Sequence, residues 1–228
     1  MLFDTHAHMD DRAFDADREA LLESLPGSGV GLLMNPGCSL ASSRAASELS
    51  RKYDYIYAAV GSHPDAADEV DEAVLQAYRE LWRSNPKIRA IGEIGLDYHY
   101  EDIPRDIQQR AFRAQMGLAR ELGLPVIVHE REAHEDGMRI VEEFPEVTGV
   151  LTFKNARRAL EAAAAVPKDR IVLETDCPYM APEPFRGKRN DPGKLYRMAE
   201  KLAELLGISP EEAQRITTEN GRRLYGIR

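Results

Sequence analysis

Ile91-Gly92-Glu93-Ile94-Gly95-Leu96-Asp97 is an apolar run with a carboxylate set inside it. It closes the strand candidate Ile88–Leu96, with Asp97 one residue beyond. A carboxylate buried in such a strand is costly unless it is paired or bound to a metal. The glycines on either side leave room for a ligand or for a close backbone. Further strand candidates are Met1–His6, Val30–Pro36, Tyr55–Val60, Pro125–His129, Val147–Phe153 and Arg170–Asp176. Several are continuous apolar runs, as parallel strands covered on both faces should be, and helical patterns alternate with them as in βαβ units.

The helical stretches carry end signals. Asp106–Leu122 repeats Ile107, Phe112, Met116, Leu118, Ala119 and Leu122 at helical spacing, and Gly123 follows as a C-terminal cap. Asp191-Pro192 reads as an N-cap with proline at the first position of a helix that ends near Gly207. Ser209-Pro210-Glu211-Glu212 reads as a capping box. Thr152 is a candidate cap for a helix through Ala156–Val166, which makes Val147–Phe153 read poorly as a strand. No linker, repeat or low-complexity tract intervenes, so a single domain over residues 1–228 is expected. An eight-stranded (β/α) barrel needs about 250 residues, roughly 31 per βα unit. With 228 residues and seven strand candidates, this chain is short by about one unit.

Composition excludes several classes. Hydrophobic content of 43% with 30% charged residues is that of a globular protein rather than a disordered one. No stretch approaches the roughly 20 apolar residues of a membrane span. Asp4 and two histidines stand where a signal peptide needs a basic and then an apolar region. Cys38 and Cys177 lie far apart without a Cys-x-x-Cys pattern and read as two reduced thiols. A cytoplasmic monomer without membrane attachment is therefore expected. The net charge of −9 exerts no global pull on nucleic acid, so any polyanion site must be local and metal-assisted.

Ligand-type residues gather at strand ends. His6 and His8 sit two apart at the end of the first strand candidate, where alternation points both to one face and lets them chelate one ion. Asp4, on that face, is placed to orient a histidine. Glu93, His129 and Asp176 lie at or near the ends of other strand candidates, Glu174 precedes Asp176 on the same face, and His63 follows a strand near the rim. In a (β/α) barrel, active-site residues come from the C-terminal ends of different strands. The mixed imidazole and carboxylate set suits zinc, manganese or iron(II), with magnesium where carboxylates dominate. Such ions lower the pKa of a bound water and polarise a scissile group.

Six segments carry a family resemblance: Phe3-Asp-Thr-His-Ala-His8, Gly61-Ser-His-Pro64, Ala90-Ile-Gly-Glu-Ile-Gly-Leu-Asp-Tyr98, Pro125-Val-Ile-Val-His129, Leu173-Glu-Thr-Asp-Cys-Pro-Tyr179 and Ala181-Pro-Glu-Pro-Phe-Arg-Gly-Lys-Arg-Asn190. Together with Thr217-Thr-Glu-Asn220 they resemble the TatD-type metal-dependent deoxyribonucleases, among the amidohydrolase-like barrels, over nearly the whole chain. The resemblance implies a TIM-like (β/α)8 barrel with two divalent metal ions (Mg, Mn or Zn). It implies hydrolysis of phosphodiesters, typically as an exonuclease, with single-stranded DNA as the substrate partner. By similarity His6 and His8 bind one metal, Glu93 bridges, and His129 binds the second. Asp176 holds the first metal and assists the attacking water, so Asp176 and Glu93 are the catalytic candidates. His63, Arg131, Arg186, Lys188 and Arg189 are candidates for substrate contact, a local basic patch that the net charge hides.

One departure accompanies the match. The family places a His-Cys-Phe-Ser-Gly motif on the strand after His129, followed by a helix and another strand. Here Gly149-Val150-Leu151 runs directly into Thr152-Phe153-Lys154-Asn155, and no histidine lies in that interval. The second metal is left with Glu93 and His129. A segment left out of the sequence, a deletion that weakens the second site, and substitution by His134 are the three explanations, and the reading favours the first. Hydrolysis of a carboxylic ester or amide, such as an aminoacyl-tRNA ester, is the alternative enzymatic reading. A catalytically impaired nucleic-acid-binding remnant is the alternative from another class.

Overall fold

The computed structural model describes residues 1–100, 102–153 and 166–228. Along the chain the strands and α-helices are β1 (Leu2–Asp4), α1 (Arg18–Ser24), β2 (Val30–Pro36), α2 (Leu40–Lys52), β3 (Ile56–Val60), α3 (Glu72–Ser84) and β4 (Ile88–Asp97). They continue with α4 (Arg105–Leu122), β5 (Val126–Arg131), α5 (His134–Glu142), β6 (Gly149–Phe153), α6 (Leu195–Leu206) and α7 (Pro210–Leu224). The chain divides into two compact units, one of Met1–Asn35 and Arg157–Arg228, the other of Pro36–Ala156.

In the first unit β1 pairs in parallel with β2, Phe3 opposite Leu32 and Asp4 opposite Leu33. Past the end of β1 the chain stays extended beside residues 173–177. The Thr5 amide donates to Leu173 O at 3.0 Å, that of Asp176 to His6 O at 3.0 Å, and that of His8 to Cys177 O at 2.9 Å. The strand expected over Arg170–Asp176 is therefore an extended segment with one parallel bridge, Ala7 to Cys177, rather than a regular ladder. Leu2 and Leu173 pack with Leu195, Ala199, Leu202 and Ala203 of α6 and Ala213 of α7. The end signals hold in part: Asp191 makes no side-chain capping bond and Pro192 opens a short 3-10 turn, Pro192–Lys194, ahead of α6, so the helix starts at Leu195. Gly207 closes α6 in a left-handed conformation, and Ser209 caps α7 by accepting from the Glu212 amide. From α7, Asn220 Nδ2 donates to Lys168 O and Ile171 O at 2.8 and 2.7 Å, and Thr218 Oγ1 donates to Met1 O at 3.1 Å. The Thr217–Asn220 signature thus ties down backbone.

In the second unit β3, β4, β5 and β6 pair in parallel in chain order, with α3, α4 and α5 as the crossovers that parallel neighbours require. Its core joins strand residues such as Ile88, Ile91, Ile94 and Val128 to Tyr78 of α3 and to Phe112, Met116 and Ala119 of α4. Two positions on α4 face this interior with amides instead. Gln108 Oε1 accepts from the Asp97 amide at 2.9 Å while its Nε2 donates to Asp97 O at 3.0 Å. Gln115 does the same for Ser62, at 2.7 and 3.0 Å. Seven residues apart on one helix, the two side chains hold the ends of two strands.

One further expectation changes here. Thr152 is not a helix cap: it lies in β6, its Cα opposite His129 in the ladder with β5. Pairing along five consecutive residues outweighs a local capping signal. The helix expected over Ala156–Val166 falls, apart from Val166, outside the described residues. Neither cysteine forms a disulfide. Among the described residues no helix is long and apolar enough to cross a membrane.

Candidate functional site

Among the described residues, each unit carries one cluster of ligand-type side chains drawn from its own segments. In the first, His6 and His8 lie just beyond β1, and the parallel bridge at Ala7 keeps the alternation that puts both on one side. Their Nε2 atoms are 2.9 Å apart. Asp176 Oδ1 is 3.5 Å from His8 Nε2 and 3.8 Å from His6 Nε2, and Glu174 Oε2 approaches the other His6 nitrogen at 3.8 Å. Asp176 reaches this position with φ of 52°, a left-handed backbone that a short carboxylate side chain tolerates better than most residues. The two backbone hydrogen bonds that flank it hold it there.

Asp4 lies beneath this cluster, fully buried. It accepts from the Thr175 hydroxyl at 2.7 Å, the Thr175 amide at 3.1 Å and the His6 amide at 3.3 Å. It therefore steers the backbone at His6 and Thr175, where the sequence suggested a partner for an imidazole. Burial pushes its carboxyl up to about 6, against the lowering pull of those donors.

The second cluster joins the ends of β4 and β5 to His63, which follows β3. His129 Nδ1 is 2.9 Å from Glu93 Oε1 and 3.1 Å from His63 Nε2. The other nitrogen of each ring meets a carboxylate: His129 Nε2 lies 3.0 Å from Asp97 Oδ2, and His63 Nδ1 lies 2.8 Å from Asp65 Oδ1. Burial alone raises the Asp97 carboxyl. The hydrogen bond and charge of His129, the His99 amide and Arg131 outweigh it and hold the group below its ordinary range.

Gly95 makes the close approach of β4 and β5 possible. A Cβ built there would stand 2.0 Å from His129 O, and one on Gly92 would stand 2.6 Å from Ile127 Cβ. Of the two uses open to the glycines around Glu93, the close backbone is the one observed.

Both clusters fit a divalent ion. Two nitrogens bound to one ion at about 2.0–2.1 Å lie about 2.9 Å apart at a right angle and about 3.4 Å apart at the tetrahedral angle. The nitrogen spacings of both clusters, 2.9 and 3.1 Å, fall in that span. In each, two imidazoles and one carboxylate offer ligand atoms that all lie within 4.8 Å of one another. Two imidazoles with one carboxylate is a donor set that leaves a position for water on zinc.

The other candidates stand elsewhere. His134 is 63% exposed and lies 3.7 Å from Glu130, outside the second cluster, so it does not replace the missing histidine. Arg131 stacks its guanidinium over Tyr100 at 4.9 Å. Arg186 is exposed beside Glu183, and Lys188 is exposed. Arg189 grips Asp17 with both terminal nitrogens, at 2.7 and 2.6 Å, donates to Ala13 O and lies over Phe14. Its donors serve the fold of the 181–190 loop. Asp65, Asp97, Gln108 and Gln115 were not singled out from the sequence. The even spacing of Glu93 and Asp97 on one strand face is the signal that marks Asp97.

Comparison with known proteins follows the same outline. The family model described as TatD related DNase matches residues 3–148 and again 144–226. YabD of Bacillus subtilis (strain 168), an uncharacterized metal-dependent hydrolase, is 39% identical over 255 aligned positions that cover all of both chains. The 3'-5' ssDNA/RNA exonuclease TatD of Erwinia billingiae is 30% identical over 260 positions, covering 99% of each. The solved structure of YJJV, a TatD homologue from Escherichia coli k12, superposes with a TM-score of 0.86 at 27% identity, over 100% of this chain and 98% of that one. The fold is α/β with parallel strands, of the TIM-barrel-like kind. The 255 aligned positions against 228 residues leave at least 27 positions of the YabD alignment without a residue here. The family match falls into two pieces that overlap at residues 144–148, a few residues ahead of the Leu151–Thr152 junction where the loss of about one βα unit was expected.

Proposed function

The chain belongs to the TatD-related DNases and is a metal-dependent hydrolase; we propose that it removes nucleotides from the 3′ end of single-stranded DNA. The observation that carries this reading is the pair of clusters, each with two imidazoles and a carboxylate whose ligand atoms lie within 4.8 Å of one another. The 3'-5' exonuclease name borne by the Erwinia billingiae relative supports the choice of bond and strand.

His6, His8 and Asp176 hold one divalent ion, and Glu93 with His129 holds the other. Ions bound there supply Lewis-acid polarisation of the phosphodiester and a lowered pKa for a bound water. Asp176 takes the proton of the attacking water. Asp97 fixes the ring of His129, and Asp4 fixes the backbone that carries His6. Arg131, Arg186 and Lys188 neutralise the phosphates, while Arg189 braces the loop against Asp17. Tyr179, 53% exposed and edge-on to His8 at 6.4 Å, offers an aromatic face to a base.

Purified protein with magnesium or manganese is expected to release mononucleotides from a 5′-labelled single strand. Asp176→Ala should lower that rate by about 100-fold or more. Equal release by wild type and Asp176→Ala, or none by a wild type carrying both ions, would count against the reading.

A further inference from the structure

We propose that His63 is the third protein ligand of the ion held by Glu93 and His129, giving this cluster a complete set without the histidine that the chain lacks. The inference rests on the reading of that cluster as a metal site. From the sequence, His63 was placed on the substrate side, and the second metal was left with two ligands.

The hydrogen-bond pattern supports the assignment. Asp65 sits at His63 Nδ1 and Asp97 at His129 Nε2. A carboxylate at one ring nitrogen keeps the proton there and turns the lone pair of the other nitrogen outward. The two outward lone pairs then face each other across 3.1 Å, that of His129 also faces Glu93 Oε1 across 2.9 Å, and the ligand atoms of all three residues lie within 4.8 Å of one another. Three electron-rich atoms at that spacing repel unless a positive charge lies among them.

The competing arrangement has His63 Nδ1 accept from the Asp65 amide at 3.3 Å and Nε2 donate to His129. It sets a ring lone pair against the Asp65 carboxylate at 2.8 Å and another against Glu93 at 2.9 Å. One added positive charge satisfies every contact in the first arrangement. A proton shared by His129 is the minimal form of it, and a divalent ion fills the same place with three ligands. The set is then two imidazoles and a carboxylate, the make-up of the cluster in the other unit. Each imidazole carries its own carboxylate partner, as metal-binding histidines do.

The test is a Co2+ titration of the full chain, followed by bound metal and by optical spectrum, with metal-free circular dichroism as the check on folding. Wild type should bind two ions, and His63→Ala should weaken one of them tenfold or more while leaving the other unchanged. His63→Cys should show a thiolate-to-cobalt charge-transfer band with that ion, which packing alone does not produce. Two ions bound by His63→Ala with wild-type affinities, while Glu93→Gln loses one, would overturn the role of His63 and leave the cluster standing. A filled second site in His63→Cys without the band would do the same. A wild type that binds one ion, unaffected by Glu93→Gln, would remove the cluster reading itself.

Discussion

His129 shows how one imidazole is made into a ligand. Asp97 takes its outer nitrogen, Glu93 and His63 face its inner one, and Gly95 lets the strand pass close enough for all of these contacts. Glu93 and His129 were legible in the sequence because a charge inside an apolar strand and a histidine at a strand end break the pattern around them. The partners were harder to find, since Asp65 looks like an ordinary polar residue after a strand and Asp97 is marked only by its even spacing from Glu93.

Asp4 lends itself to a pH test. Its folded carboxyl lies at about 6 against an ordinary 3.8, so the folded state holds the proton more tightly than the unfolded chain. The stability this gives is fully present below the unfolded value and is lost as pH rises through the folded one. Across that window, metal-free wild type should lose roughly 3 kcal/mol relative to Asp4→Asn, as read by urea unfolding at several pH values. A difference between the two proteins that does not vary with pH would show that Asp4 titrates normally.

Among the elements, β2, β4 and α4 follow their sequence patterns to within a residue or so at each end. Their apolar spacing and caps agree with their tertiary surroundings. Thr152 shows where that agreement fails, since a threonine before a polar stretch signals a cap locally but pairs beside His129 in the sheet. The extended 173–177 segment lacks a regular ladder for the same kind of reason, because pairing depends on neighbours that no local pattern encodes. In α4 the helical period predicted the apolar face but not the two glutamines on it. Gln108 satisfies both backbone groups of Asp97. Gln108→Leu should therefore cost about 1–3 kcal/mol in urea unfolding, because it leaves a buried N–H and C=O without that partner. A change within about 0.5 kcal/mol would show that the amide pair is dispensable.

For the whole molecule, the shortage of about one βα unit followed from length and strand count, and the family match divides at residues 144–148, close to the Leu151–Thr152 junction where it was expected. What length did not reveal was whether the second metal site survives the loss. The cluster of Glu93, His129 and His63 lies wholly within Pro36–Ala156, and that of His6, His8 and Asp176 wholly within the other unit. Two ions per chain are therefore expected despite the missing segment. The direct measurement is elemental analysis of the full chain after equilibration with Mn2+ and removal of the excess. Wild type should carry two bound ions and Asp176→Ala one; one or none bound to wild type would contradict a two-ion centre.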